Sequence, residues 1–162
     1  MNYIDIINET ITDGEGLRIS IYVSGCTHYC KECHNSFSWD FNQGTKITPE
    51  FITELIQKFK SDPLLDGITF SGGDPLHPDN AKDLLWILQV LKKASINIWV
   101  YTGYTYEELL ENNIQKACLE YIDVLVDGPF ILEKKDPELL FRGSSNQRIL
   151  YLKKGNIIRQ SD

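Results

Sequence analysis

Short runs of β-branched and aromatic residues alternate along the chain with longer segments whose apolar residues recur at helical spacing. Such runs are typical of β-strands. Six are recognisable, at 3–7, 17–23, 67–70, 96–101, 122–126 and 148–152. Because helical segments fill the gaps between strands, the connections are expected to be crossovers, which join parallel neighbours in a sheet. The pattern therefore predicts an α/β fold.

Capping residues and apolar stripes predict three helices. Thr48 begins the first helix, just before a proline. Its apolar stripe consists of Phe51, Ile52, Leu55, Ile56 and Phe59. Asp79 is the predicted cap of the second helix, and Thr105 with Glu108 forms a capping box for the third. The tail, 153–162, is polar, and we expect it to be loosely ordered.

Four short motifs directly follow predicted strands. They are the loop 24–35, Gly72-Gly73-Asp74, Thr102-Gly103 and Asp127-Gly128. Ligand sites of parallel sheets lie at the carboxyl ends of the strands, so these motifs are expected to share one rim. A complete eight-stranded barrel needs about 200 residues or more, and this chain has 162. We therefore expect a partial, open β/α barrel with a mostly parallel sheet.

Composition excludes several classes of protein. The 16 lysines and arginines stand against 23 acidic residues, and the resulting net charge of -7 disfavours binding to nucleic acid. No apolar run approaches the roughly 20 residues of a membrane span, and the first residues lack the pattern of a secretory signal. We expect one domain over 1–162, located in the cytoplasm and not bound to a membrane.

Three of the four cysteines, Cys26, Cys30 and Cys33, crowd into eight residues with the spacing C-x3-C-x2-C. This clustering is unsuited to disulfide pairing with the distant Cys118, which we expect to be a buried apolar residue. Soft thiolates bind zinc or iron–sulfur clusters. Because a four-iron cluster usually takes four cysteines, three would leave one iron open to another ligand. The alternative is a structural zinc module of Cys3His type for protein binding, with His28 or His34 as fourth ligand.

The cysteine spacing, together with the turn Gly72-Gly73-Asp74 before Pro75, resembles the radical S-adenosylmethionine (SAM) superfamily. Within it, several further motifs resemble the activases of anaerobic ribonucleoside-triphosphate reductase. These motifs are at 13–16, 33–35, 101–104, 127–128 and 142–148. The resemblance extends over nearly the whole chain.

The resemblance implies a 4Fe–4S cluster bound by the three cysteines, with SAM on the fourth iron. The residues implied in SAM binding are Glu32, Cys33, His34, Gly72, Gly73 and Asp74. The implied activity is reductive cleavage of SAM to a 5′-deoxyadenosyl radical, which installs a glycyl radical on the large subunit of the reductase. A flavodoxin-type protein is the implied electron donor. Another glycyl-radical activase and a compact heterocycle synthase are the alternatives within the superfamily.

The same resemblance leaves the roles of five further residues open. Tyr101 and Tyr104 are candidates to pack against adenine, although tyrosines at such positions more often pack in the fold. Arg142 and Arg148 are candidates to bind the SAM carboxylate or the partner protein, because arginine pairs with carboxylates through two hydrogen bonds. Asp127 is either a further site residue or part of a turn.

Overall fold

One mixed β-sheet organises the chain in the computed structural model, which describes residues 1–161. The strands are β1 (Asn2–Thr10), β2 (Arg18–Val23), β3 (Thr45–Lys46), β4 (Gly67–Gly72), β5 (Asn97–Tyr101), β6 (Val124–Asp127), β7 (Arg148–Lys153) and β8 (Asn156–Ser161). Their order across the sheet is β3-β1-β2-β4-β5-β6-β7-β8. The α-helices are α1 (Pro49–Ser61), α2 (Pro78–Lys93), α3 (Tyr106–Leu109) and α4 (Asn113–Leu119).

The prediction of a mostly parallel sheet is confirmed only for the four central strands, β2, β4, β5 and β6. Both edges are antiparallel, because β1 pairs with β2 and β3, and β7 pairs with β6 and β8. The links from β1 to β2 and from β7 to β8 are too short for a crossover, which needs a dozen residues or more. The sheet is therefore mixed, with helical crossovers only at its centre.

All six predicted strands form, with ends within three residues of those expected. The prediction of a loosely ordered tail is wrong, because β8 pairs with β7 as a hairpin. Its turn residues Lys154 and Gly155 have φ angles of 51° and 80°, as two-residue hairpin turns require. The final residue of the predicted tail, Asp162, lies outside the described residues.

The predicted helix starts are confirmed for α1 and α3. Thr48 Oγ1 accepts a hydrogen bond from the Phe51 amide at 3.1 Å, and the capping box of Thr105 is complete. The cap of α2 is His77 rather than Asp79, since the His77 ring nitrogen accepts from the Asp79 amide at 3.1 Å. Pro78 occupies the first helical position, where its fixed φ is suitable and its missing N–H costs nothing.

The two faces of the sheet differ because successive residues of a strand point to opposite sides. On the face covered by the helices, one apolar cluster contains residues such as Ile19, Phe70 and Val100. On the other face a smaller cluster surrounds Trp99. Alternate residues of the central strands on that second face are largely polar, and the ones nearest the carboxyl ends line a cavity.

Arg18 connects the central strands near their amino ends, at the edge of the sheet opposite the cavity. Its buried guanidinium donates to Thr69 Oγ1 at 2.8 Å, to the Ile68 carbonyl at 3.1 Å and to Asn97 Oδ1 at 2.9 Å. It also lies over the Trp99 ring, 5.6 Å from its centre. Burial lowers the pKa of Arg18 to about 10, but the guanidinium remains charged at neutral pH. This contact network holds β2, β4 and β5 in register below the cavity.

Within residues 1–161, the helices are all too short or too polar to cross a membrane.

Candidate functional site

A cavity of about 810 Å³ lies at the rim formed by the carboxyl ends of the central strands. Its size is within the range of about 300–1,000 Å³ typical of small-molecule sites. All four rim motifs contribute to its wall. The contributing residues are Cys26, Cys30, Cys33, Gly72, Gly73, Asp74, Thr102, Gly103 and Gly128. The expectation that these motifs share one rim is therefore confirmed.

Backbone hydrogen bonds anchor the start of the cysteine loop. The Gly25 amide donates to the Ser38 carbonyl at 2.6 Å, and the Cys26 amide donates to the Trp39 carbonyl at 3.2 Å. Gly25 has a φ of 101°, and a Cβ there would lie 2.1 Å from the Phe41 ring. Only glycine fits this position, so the chain can turn sharply into the loop.

The three loop cysteines are free and lie against the cavity, Cys26 being buried and the other two half-buried. Burial raises the pKa of the Cys26 thiol to about 11, and burial is also the main cause of the raised pKa of Cys30. Since metals bind the thiolate, a bound metal must displace these protons and supply the compensating charge.

The turn Gly72-Gly73-Asp74 packs directly on the cysteine loop. The Gly73 amide donates to the Val23 carbonyl at 2.7 Å, and the Asp74 amide donates to the Gly25 carbonyl at 2.8 Å. A Cβ on Gly73 would lie 2.6 Å from the Gly25 oxygen. The missing side chain therefore permits two backbone segments to touch where the cavity wall is formed.

The Asp74 carboxylate is the most highly connected group of the site, and the side chain is only 1% exposed. One oxygen accepts from the Leu76 amide at 2.9 Å. The other accepts from the Gly103 amide at 2.9 Å and pairs with His28 Nε2 at 2.7 Å. The Thr102 hydroxyl lies 2.9 and 3.0 Å from the two oxygens. Asp74 thereby joins the cysteine loop to the end of β5.

Asn80, in the first turn of α2, is a site residue that the sequence did not reveal. It is 2% exposed, and its side-chain amide donates to the carbonyls of Ser24 and Asp74, each at 3.0 Å. It therefore bridges the first residue of the cysteine loop and the glycine turn. No local signal identifies it, because an asparagine near a helix start ordinarily indicates a cap.

Three other polar residues of the cysteine loop, His28, His34 and Glu32, lie in different environments. His28 is half-buried between Asp74 and the Tyr104 ring, whose centre is 4.6 Å away. The hydrogen bond with Asp74 raises the pKa of His28. His34 is exposed, lines the cavity and lies 5.7 Å from the Phe130 ring. Glu32 is exposed, has a φ of 60° and is outside the set of residues that line the cavity.

The two candidate arginines have separate environments. Arg142 lines the cavity and donates to the Gln147 carbonyl at 2.7 Å, while its Nε is buried without a partner. Arg148 is outside the cavity wall and pairs with Glu107 and with the buried carboxylate of Asp127. Those two carboxylates raise the pKa of Arg148. Of the pair, only Arg142 faces the space where a ligand would lie.

The polar face of the sheet supplies the floor of the cavity. Tyr22 and Tyr101 both line it, and the Tyr22 hydroxyl donates to the Asp13 carboxylate. Tyr104 packs on His28 and is not part of the wall. Because successive side chains of a strand point to opposite faces, the sequence alone could predict that Tyr22 and Tyr101 share one face of the sheet. It could not predict whether that face is the one covered by the helices or the one that forms the cavity.

Cys118 is outside the cavity wall. It is completely buried in α4, and its thiol donates to the Ala81 carbonyl at 3.4 Å. The prediction that it is a core residue is confirmed.

A family model and several relatives agree on the kind of protein that this chain resembles. The family model for the 4Fe-4S single cluster domain matches residues 12–150. The anaerobic ribonucleoside-triphosphate reductase-activating protein of Haemophilus influenzae is 45% identical over 152 residues, which are 92% of this chain and 97% of that protein. The protein of the same name from Escherichia coli K12 is 40% identical over 94% of this chain and 100% of its own. That of phage T4 is 35% identical, with 92% and 93% covered.

Proposed function

The chain belongs to the family of anaerobic ribonucleoside-triphosphate reductase-activating proteins, and we propose that it installs a glycyl radical on the large subunit of that reductase. One observation carries the proposal. The three cysteines and the glycine turn of the superfamily motif form the wall of one cavity, in a chain that matches such activators over nearly its whole length.

We infer that Cys26, Cys30 and Cys33 would each bind one iron of a 4Fe–4S cluster, which leaves the fourth iron for SAM. Three free thiols on one cavity wall fit this group. When bound, the cluster supplies the electron that cleaves SAM to methionine and a 5′-deoxyadenosyl radical. SAM would be held by the turn Gly72-Gly73-Asp74 and by Cys33 and His34, which line the cavity. Glu32, whose backbone was expected near the adenine, lies outside the cavity wall.

The cavity wall suggests separate tasks for the remaining residues. Gly72 and Gly73 permit close approach of the backbone to the methionine part of SAM. Arg142, which lines the cavity, is placed to bind a carboxylate. Tyr101 offers an aromatic surface on the floor. Arg148 acts through Asp127 in the fold rather than on the ligand.

The reductase supplies the hydrogen atom. When bound, SAM would supply the 5′-deoxyadenosyl radical that removes this atom from the Cα of a backbone glycine, which would leave 5′-deoxyadenosine and a glycyl radical. Exposed residues, among them Thr12, His34 and Pro137, border the mouth of the cavity, so a loop of another protein has room to enter.

We infer that the sheet forms the open, partial barrel of the radical SAM type. We also infer that a flavodoxin-type protein donates the electron, and that the reaction takes place in the cytoplasm.

The structural zinc module is the less favoured function. His28 Nε2 is already engaged by Asp74 at 2.7 Å. Among residues 1–161, no three His, Cys, Asp or Glu side chains are arranged around one point that could hold a single metal ion. A cluster makes no such demand, because each thiolate binds a different iron.

The test is anaerobic incubation of the reconstituted protein with the cognate reductase, SAM and a reductant. We expect a glycyl radical on the reductase, detected by electron paramagnetic resonance (EPR), and one 5′-deoxyadenosine for each radical formed. Cys30→Ala should abolish both products, whereas the core variant Cys118→Ala should retain them. SAM cleavage without a radical on the reductase would refute this assignment.

A further inference from the structure

We propose that Asp74 is a positioning residue: its carboxylate holds the cysteine loop against the end of β5 and does not bind the ammonium group of SAM. The inference rests on the proposed function and concerns how the acidic residue of the glycine turn contributes to it. It is carried by the number of donors around the carboxylate and by the elements from which they come.

The acceptor capacity of Asp74 is used up within the protein. A carboxylate offers about four lone-pair sites. Four donors already occupy the group, namely the Leu76 and Gly103 amides, the Thr102 hydroxyl and His28 Nε2. The ammonium of SAM would have to displace one of them, which would leave a buried donor unpaired.

The donors come from separate elements whose relative position defines the site. His28 lies between the first two cluster cysteines, and Thr102 with Gly103 follows β5. The shortest contact, 2.7 Å, is the one to His28, as expected for a strong hydrogen bond to a carboxylate. Asp74 therefore sets the distance between the cysteine loop and the opposite wall.

The residues around Asp74 leave its side chain little space to adopt another position. Asp74 is 1% exposed, and a Cβ at Gly103 would lie 2.5 Å from the His28 ring. His28 thus packs against the Gly103 backbone and is held in place by Asp74 from the side. A longer acidic side chain at this turn would have to push these groups apart, so the short aspartate suits this chain.

The experiment compares Asp74→Asn, Thr102→Val, Thr102→Ser and the double variant of Asp74→Asn with Thr102→Val. The EPR spectrum of the reduced cluster is recorded first without SAM and then during a SAM titration. Asp74→Asn should change the spectrum before SAM is added and should weaken SAM binding about tenfold or more. Thr102→Val should act in the same direction, and Thr102→Ser should restore the wild-type behaviour.

A positioning role also predicts that the effects are not additive, because both residues act through one set of contacts. The double variant should bind SAM no more weakly than Asp74→Asn alone. Asp79→Asn, which removes an exposed carboxylate from the start of α2, serves as the control for lost charge and should match the wild type.

Two results would overturn the inference. One is an Asp74→Asn protein whose spectrum without SAM equals that of the wild type while its SAM affinity falls. The other is a Thr102→Val protein identical to the wild type in both measurements, which decides the question even if Asp74→Asn assembles no cluster. If SAM does not change the wild-type spectrum, the proposed function fails instead.

Discussion

Asn80→Ala tests how strongly the structure depends on the link between α2 and the cysteine loop. The Asn80 amide donates to the Ser24 and Asp74 carbonyls, each at 3.0 Å. The Asp74 carbonyl also accepts from the His77 amide at 3.1 Å, whereas the variant leaves the Ser24 carbonyl without this donor. One unpaired buried acceptor costs about 1–3 kcal/mol, and the second lost hydrogen bond adds about 1 kcal/mol.

We therefore expect the free energy of unfolding to fall by about 2–4 kcal/mol, which corresponds to a decrease in Tm of roughly 4–16 °C for a chain of this size. Urea unfolding of the reduced apoprotein, followed by circular dichroism, measures the change. Asn42→Ala removes an exposed asparagine and should stay within about 0.5 kcal/mol of the wild type.

Asn80→Asp separates the lost donors from lost volume. It preserves the size of the side chain but places a carboxylate against two carbonyl oxygens, so at neutral pH it should destabilise at least as much as Asn80→Ala. A stability of Asn80→Ala within about 0.5 kcal/mol of the wild type would refute the assignment of Asn80 as a structural bridge. A fully stable Asn80→Asp protein would refute the donor argument.

Three further predictions follow from separate contacts. Cys26→Ala should lose most of the iron after reconstitution while Cys118→Ala retains it, as an iron assay would show; equal iron contents would contradict the assignment of the ligands. Gly103→Ala should weaken SAM binding, since its Cβ would lie 2.5 Å from a histidine ring of the loop; an unchanged titration would argue against tight packing there. The pKa of Glu107 is lowered by Arg148, so this pair stabilises the fold above the usual glutamate pKa of about 4.3 and its contribution disappears as the pH falls through the lowered value. Arg148→Gln should therefore make the acid-side loss of stability shallower, and an unaltered pH profile of urea midpoints would exclude the effect.

The parts of the site that are local in sequence could be predicted from the sequence. The three cysteines lie within eight residues, and the glycine turn directly follows a strand of β-branched residues. Because the carboxyl ends of parallel strands share one edge, their meeting at one cavity followed from the order of the elements.

The contacts that hold the site together are not local. His28 and Asp74 are 46 residues apart, and Ser24 and Asn80 are 56 apart. Hydrogen bonds over such separations depend on how the helices and strands pack, and no periodicity encodes them. The roles of Asp74 and Asn80 could therefore be found only in the structure.

The tail shows a second limit of pattern reading. Its polar residues lack the apolar alternation of a half-buried strand, because β8 is an edge strand with largely exposed side chains. The sequence feature that could have indicated the hairpin is the glycine at position 155, because short turns between antiparallel strands favour glycine. The positive φ angles of Lys154 and Gly155 suit a two-residue connection between antiparallel strands.

The most direct test of the account is whether one iron of the cluster is open to SAM. The protein is reconstituted anaerobically, reduced, and studied by EPR with and without SAM. We expect a reduced 4Fe–4S signal that changes shape when SAM is added, because SAM becomes a ligand of the iron that no cysteine holds. A colourless, EPR-silent protein containing zinc, or a cluster signal that is indifferent to SAM, would contradict it.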